Sequence, residues 1–269
     1  MSHIQAGFSL IDSITPLVKH FPNYALNDLS KANLMNRIDI KYLVPLSFLP
    51  TLLAQLQSCY SVLEIDGHRV FTYENLYFDT DDFQFYQMHH NGKLNRFKVR
   101  HRKYIETQTN FLEVKFKNNK KRTVKTRMEI GNNSHEMTKT MKQFLQQHLK
   151  GEFSDLQPKQ FGRYHRITLA NEQLGERVTF DFGLSFQQKS GKIRQTLDGI
   201  LIAELKQEHK NVTSPFFKLM RQYNIRPNSF SKYCIGCCLT YADRLRTNNF
   251  KHNLLKLKSS VINQGSYHV

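Results

Sequence analysis

From Arg96 to Arg102, and again from Phe111 to Lys117, charged and apolar residues alternate with period two, the signature of a β-strand. Arg96, Lys98, Arg100 and Arg102 share one face of the first segment, opposite Phe97 and Val99. In the second, Glu113, Lys115 and Lys117 oppose Leu112, Val114 and Phe116. The same inverted pattern predicts further strands. Arg37, Asp39 and Lys41 oppose Ile38, Ile40 and Tyr42 over 36–44, and Lys125, Arg127 and Glu129 share a face over 123–130. Tyr164 and Arg166 oppose His165 and Ile167 over 163–169, Arg177, Thr179 and Asp181 oppose Val178, Phe180 and Phe182 over 177–183, and Glu204 and Lys206 oppose Leu201, Ala203 and Leu205 over 200–206. With a strand over 70–78, this makes eight.

Helical spacing appears between them. Residues 47–56 read as a helix entered through Pro45 and Pro50, and 134–149 carries Met137, Met141, Phe144, Leu145 and His148 on one stripe. Ser214 followed by Pro215 is a cap and first-turn proline for a helix through Tyr223, and 228–245 reads as a last helix. Asp28 is placed to cap a short helix through Met35. Pro16 and Pro22 interrupt residues 1–27, which are expected as a short helix or arm. Asn91-Gly92 marks a polar turn containing His89 and His90, expected in solvent, and Asn118-Asn119-Lys120-Lys121 marks a hairpin.

Both the strands and the helices have apolar faces to bury. The economical arrangement is an α+β fold in which the eight antiparallel strands close into a barrel, helices pack outside it, and the lumen is charged. Ordinary small barrels are filled by apolar side chains instead. Lining up like charges destabilises a sheet, so a chain that keeps such a surface implies an anion to place there.

Composition sharpens the anion without choosing it. The 269 residues carry 39 Lys and Arg against 22 Asp and Glu, a net charge of +17, which points to nucleotide, polyphosphate, nucleic acid or an acidic membrane surface. Nucleic acid fits poorly, because no exposed aromatic platform recurs beside the cations. A hydrophobic content of 39% and an aromatic content of 12% exclude a disordered chain. No apolar run approaches the ~20 residues that cross a bilayer, and the N-terminus has no signal pattern, so a soluble cytoplasmic protein is expected. Cys59, Cys234, Cys237 and Cys238 lack zinc spacing, and the last three are expected as buried thiols.

The ordered set of segments resembles a known family. Arg37-Ile38-Asp39-Ile40-Lys41-Tyr42, Tyr77-Phe78-Asp79, Arg96-Phe97-Lys98-Val99-Arg100-His101-Arg102, Phe111-Leu112-Glu113-Val114-Lys115, Tyr164-His165-Arg166, Arg177 with Asp181, Glu204-Leu205-Lys206 and Phe230-Ser231-Lys232-Tyr233 are similar to the successive strand motifs of the VTC domain. That domain is the catalytic part of the vacuolar transporter chaperone polyphosphate polymerases, within the CYTH-like triphosphate tunnel metalloenzyme superfamily. The resemblance covers roughly 33–245, leaving 1–32 as an arm and 246–269 as a flexible basic tail.

The resemblance implies that ATP is held by its triphosphate, that Mn²⁺ or Mg²⁺ assists, and that the γ-phosphoryl group passes to a growing polyphosphate chain. It implies catalytic roles for Lys41, Arg100, Arg102, Lys115, Arg166, Arg177 and Lys232, and substrate binding by Arg37, Lys98, Arg127, Tyr164, Lys206 and Ser231. Glu204 is the implied metal ligand, with Glu113 second. Asp181 reads as an acid orienting Arg166 or Arg177, and His165 as a packed histidine. No regulatory domain or membrane span flanks the tunnel in this sequence, so polymer export is expected to need a separate membrane protein. A metal-dependent triphosphatase and a non-catalytic polyphosphate or nucleic-acid binder are the competing functions.

Overall fold

The computed structural model describes residues 2–28, 38–120, 122–131, 137–149, 153 and 155–262. In chain order the elements are α1 (Ser2–Lys19), β1 (Asn23–Tyr24), β2 (Ile38–Pro45), α2 (Leu49–Leu56), β3 (Ser61–Leu63), β4 (Phe71–Asp79), α3 (Gln84–His90), β5 (Arg96–Tyr104), β6 (Thr109–Lys117), β7 (Thr123–Glu129) and α4 (Lys139–His148). They continue with β8 (Gln157–Asn171), β9 (Glu176–Gln188), β10 (Arg194–Leu197), β11 (Ile200–Gln207), α5 (Pro215–Gln222), α6 (Lys232–Thr240) and α7 (Lys251–Ile262).

The strands form one sheet whose main path is β2-β11-β9-β8-β4-β5-β6-β7, antiparallel at every step. These are the eight strands that alternation predicts. The expected closure is not seen: among the described residues β2 and β7, the ends of the path, do not pair. Lys41 on β2 faces the lysines of the β6–β7 side across that seam, and like charges oppose the approach a ladder needs. The sheet nevertheless curls strongly. Laid flat, β2 and β6 would stand six strand spacings apart, about 29 Å, yet Lys41 lies near enough to Lys115 to act on its charge.

The apolar faces turn outward and are covered as patterning requires. Leu49, Leu52, Leu53 and Leu56 of α2 and Phe216, Leu219 and Met220 of α5 bury against Val178, Phe180, Phe182, Leu201, Ala203 and Leu205. On the opposite wall Met141 and Leu145 of α4 meet Leu76, Phe97, Val99, Leu112 and Val114. A third cluster joins Leu184, Phe186, Ile200 and Ile202 to Ile235 of α6, which docks on the sheet. No helix among the described residues is long and apolar enough to cross a membrane.

Several local expectations need correction. Pro16 does not break α1, which continues through it to Lys19. The turn before β5 contains α3, and His90 is buried there, with Nε2 2.9 Å from Asn248 Oδ1. The last predicted helix is shorter, beginning at Lys232 with Ser231 as its cap. Beyond it the expected flexible tail carries α7, whose Leu257 is buried and whose Asn253 donates to the Ser229 carbonyl. The helix expected from Asp28 to Met35 falls mostly outside the described residues. The β6–β7 hairpin is as predicted, closed by Asn118 N–H to Arg122 O at 2.9 Å and Arg122 N–H to Asn118 Oδ1 at 2.9 Å.

Candidate functional site: a cationic concave face

Each lumen-facing strand delivers its charges at every second residue, and the register decides which of them meet. On β5 and β6, Arg100 stands opposite Glu113 and Lys98 opposite Lys115. On β6 and β7, Lys115 stands opposite Lys125. Glu113, 1% exposed, receives Arg100 Nε at 2.7 Å and Lys125 Nζ at 2.5 Å, with Arg102 Nε 4.0 Å away. Burial opposes its ionisation, but these three cations outweigh that and hold its pKa well below the carboxylate range.

Arg102 is itself oriented by neutral groups: Nε donates to Asn75 Oδ1 at 3.0 Å and Nη2 to the Tyr164 hydroxyl at 2.9 Å. Tyr73 stacks on Tyr164 with centroids 5.1 Å apart. Both the Arg102 and Arg166 guanidinium carbons lie over the Tyr73 ring, at 5.1 and 5.0 Å, a geometry worth ~0.5–2 kcal/mol per contact.

The second group centres on Asp181, also 1% exposed. Arg166 grips it in a fork, Nε to Oδ1 at 2.5 Å and Nη2 to Oδ2 at 2.7 Å, and Lys232 at the start of α6 contacts the same carboxylate. The acid therefore orients Arg166, one of the two partners foreseen for it. In the third group Glu204 pairs with Lys206 and with Lys41 Nζ at 3.5 Å, and Lys206 also reaches Asp39 at 4.0 Å. Lys206 and Lys41 hold the Glu204 pKa well down against its burial.

Around these pairs stands a surplus of cations. Desolvation within the curled sheet, with Lys98 and Lys41 nearby, pushes the Lys115 pKa down, although its side chain keeps contact with solvent. Burial, with Lys41, Arg96 and Arg100 nearby, pushes Lys98 to about 8. A surface whose lysines are driven toward neutrality by desolvation and by one another takes up an anion readily, since the anion restores their charge.

The structure thus brings together Lys41, Lys98, Arg100, Arg102, Glu113, Lys115, Tyr164, Arg166, Glu204, Lys206 and Lys232. Arg177 lies farther along β9, opposite Lys206 and beside Tyr24. Arg127 is exposed at the rim, 4.7 Å above the Phe111 ring. The Ser231 hydroxyl is occupied as the α6 cap, accepting from Cys234 N–H at 3.2 Å. Arg37 lies outside the described residues. Lys125, Tyr73 and Asn75 were not anticipated: alternation shows Lys125 on the charged face, but β4 carries no lumen cation to mark Tyr73 and Asn75.

Other marked residues have structural roles. Asp79 is fully buried and accepts from Phe85 and Tyr86 N–H at 2.8 and 2.9 Å and from the Tyr233 hydroxyl, tying α3 and α6 to the end of β4. His165 is packed, as expected, 3.1 Å from Thr72 Oγ1, and burial lowers its pKa to about 4. Cys234, Cys237 and Cys238 are buried thiols, while Cys59 is exposed.

A sequence model of the VTC domain matches residues 36–241, well over half the chain. The chain belongs to the VTC domain family. No curated protein sequence matches it. Among solved structures, this VTC domain overlays on an adenylate cyclase candidate from Bacillus halodurans with 16% identity, covering 73% of this chain and 94% of the other at a TM-score of 0.49. The Hippeastrum adenylyl cyclase HpAC1, described as having a dominant triphosphatase activity, gives 15% identity, 76% and 96% coverage and 0.47. The PH1819 protein of Pyrococcus horikoshii gives 12%, 74% and 97%, and 0.44.

The implied divalent ion can be weighed against this site. No three His, Cys, Asp or Glu side chains converge among the described residues, so the VTC domain has no preformed protein cage. Of the three carboxylates on the concave face, Glu113 and Asp181 are buried, and Glu204, paired with Lys41 and Lys206, is the partly exposed one. Mg²⁺ is commonly bound through one or two carboxylates together with substrate phosphates and water, and Glu204 fits that role. Glu113 is engaged by three cations and fits better as their anchor.

Proposed function

We propose that this VTC domain is an ATP-dependent polyphosphate polymerase, moving the γ-phosphoryl group of ATP onto a growing polyphosphate chain along the concave face. The observation that carries this reading is the excess of cations over acids on this face: Glu113, Asp181 and Glu204 each already hold two or more cations, Lys125 and Lys41 among them, and Lys98 and Lys115 stand beside them in addition. Such a surface suits a linear polyanion better than one compact phosphate. Arg100, Arg102 and Arg166, each fixed in direction by a carboxylate, an amide or a phenol, would contact phosphate oxygens; Lys232 would approach the same chain from α6. Lys206 and Tyr164 would support them, and Arg127 and Arg177 would extend the track toward its two ends.

Phosphoryl transfer asks mostly for alignment and charge neutralisation, and fixed cations supply both without a dedicated nucleophile. Mn²⁺ or Mg²⁺ at Glu204 would neutralise charge on the transferring group when bound.

Hydrolysis of triphosphate in the same site is the second reading, and one observation favours it: β7 is exposed along most of its length, so water can reach the Lys125 side. Incubation with ATP and Mn²⁺, with products resolved by gel and chromatography, separates the readings. Long phosphate chains support polymerisation. Free phosphate or pyrophosphate without chains supports hydrolysis, and unchanged ATP with tight anion binding supports a non-catalytic binder.

A further inference from the structure

The outer face of the sheet is covered by α2 and α5 on one side and α4 on the other. Between them a cleft of about 400 Å³ stays open over β5, β4, β8, β9 and β10. Its floor is two adjacent cross-strand rows. One runs His101, Leu76, Phe161, Gln187 and Arg194, the next Lys103, Glu74, Arg163 and Ser185. His101 and Lys103 alternate with Arg100 and Arg102 along β5, so the cleft and the concave face lie on opposite sides of the same strand.

Two irregularities build this cleft. The β8–β9 register shifts between Arg163 and His165, and β9 turns at Gly183, φ +62°, where an added Cβ would lie 3.0 Å from the His165 ring. Before the turn β9 pairs with β11, and after it with β10. The β10 strand, carrying Arg194, thereby becomes a wall of the cleft, and the shift in β8 lies beside Arg163, as bulges beside binding sites do.

The lining combines two chemistries. Phe161, partly exposed beside the buried Leu76, makes an apolar floor, and Lys103, Arg163 and Arg194 bring cations from three different strands. Glu74, the one acid there, lies 3.5 Å from Arg163. Lys189 adds a further cation 5.3 Å from the Phe161 ring centroid. Inorganic phosphate would use the cations and leave the floor wet, whereas a neutral apolar ligand would strand three charges beside it. The volume is that of a small-ligand site, ~300–1,000 Å³.

We propose that this cleft binds a nucleoside monophosphate, a planar base resting on Phe161 with its phosphate toward Arg163 and Arg194, at a site separate from the concave face. The test is calorimetric titration of AMP into the full chain, alone and with saturating tripolyphosphate, and into an Arg163→Ser/Arg194→Ser variant. AMP should bind in the presence of tripolyphosphate, and its affinity should fall at least about tenfold in the variant, as expected for lost hydrogen bonds to a charged group. ATP turnover of the variant should match the unsubstituted protein. Displacement of AMP by tripolyphosphate, equal affinity in the variant, or no binding at millimolar AMP would overturn the site. The polymerase reading stands or falls separately, on the products of that turnover.

Discussion

At the scale of single residues, the distinctive feature is lysines held below their ordinary charge. In the folded chain the Lys115 and Lys98 pKa values are lowered, Lys98 to about 8, whereas in the unfolded chain a lysine keeps its proton to about pH 10.4. The unfolded state therefore binds more protons between these values, and on account of these two groups stability rises as pH goes from about 8 to about 10. Anion binding follows the opposite course, because it needs both lysines charged. Sulfate, whose own charge is constant, should bind at least about tenfold more weakly at pH ~9 than at pH ~6.5, and Lys115→Arg should flatten the profile. A flat profile in the unsubstituted protein would remove these lysines from the anion site.

Lys115→Ala should lower turnover about 100-fold while raising the melting temperature, since it removes like-charge repulsion. Asp181 behaves differently, because its loss leaves Arg166 and Lys232 without their shared partner. Asp181→Asn should cost about 3 kcal/mol in urea unfolding, and tripolyphosphate should restore part of it by taking the place of the carboxylate.

At the scale of elements, α6 decides the shape of the site. It is buried nearly all round, and it brings Lys232 to Asp181 while Tyr233 reaches Asp79. Such close docking depends on Gly236, where an added Cβ would lie 2.5 Å from the Gln160 amide and 2.6 Å from the Phe186 ring. On propensity alone Gly236→Ala would gain ~1 kcal/mol. Here overpacking should reverse the sign, a net cost of ~1–3 kcal/mol, with turnover falling as Lys232 is displaced. A stabilised variant in thermal melts would refute this docking. The strands were legible because alternation is local; α6 was foreseen as a helix with buried cysteines, but not the surface it docks on, since an apolar sequence marks burial without naming a partner.

For the whole molecule, the curl of the sheet matters more than any one strand. It sets Lys41 of β2 against Lys98 and Lys115 of β5 and β6, and a polyanion lying between them would join walls that otherwise repel. Tripolyphosphate at about a hundred times its dissociation constant should stabilise the fold by ~2.7 kcal/mol, a rise in melting temperature of about 5–10 °C. Lys41→Ala/Lys115→Ala should abolish most of that rise. An unchanged shift in the double variant would mean that the anion binds elsewhere, and the walls would then have to be held by protein contacts alone.

What the sequence determined by itself was the face of each charge and the family. Period two is imposed by backbone geometry, and the ordered motifs from Arg37 to Lys232 are specific as a set. Only the tertiary structure decided the partners. Glu113 is bound to Arg100 and Lys125, Asp181 to Arg166 and Lys232, and Glu204 to Lys41 and Lys206. It also left β2 and β7 unpaired with each other among the described residues, set Arg177 opposite Lys206 and Arg127 at the exposed rim, and opened the cleft on the outer wall. These outcomes depend on register, curl and the depth at which α6 docks, which arise from contacts between residues far apart in the chain and leave no trace in any one segment's pattern.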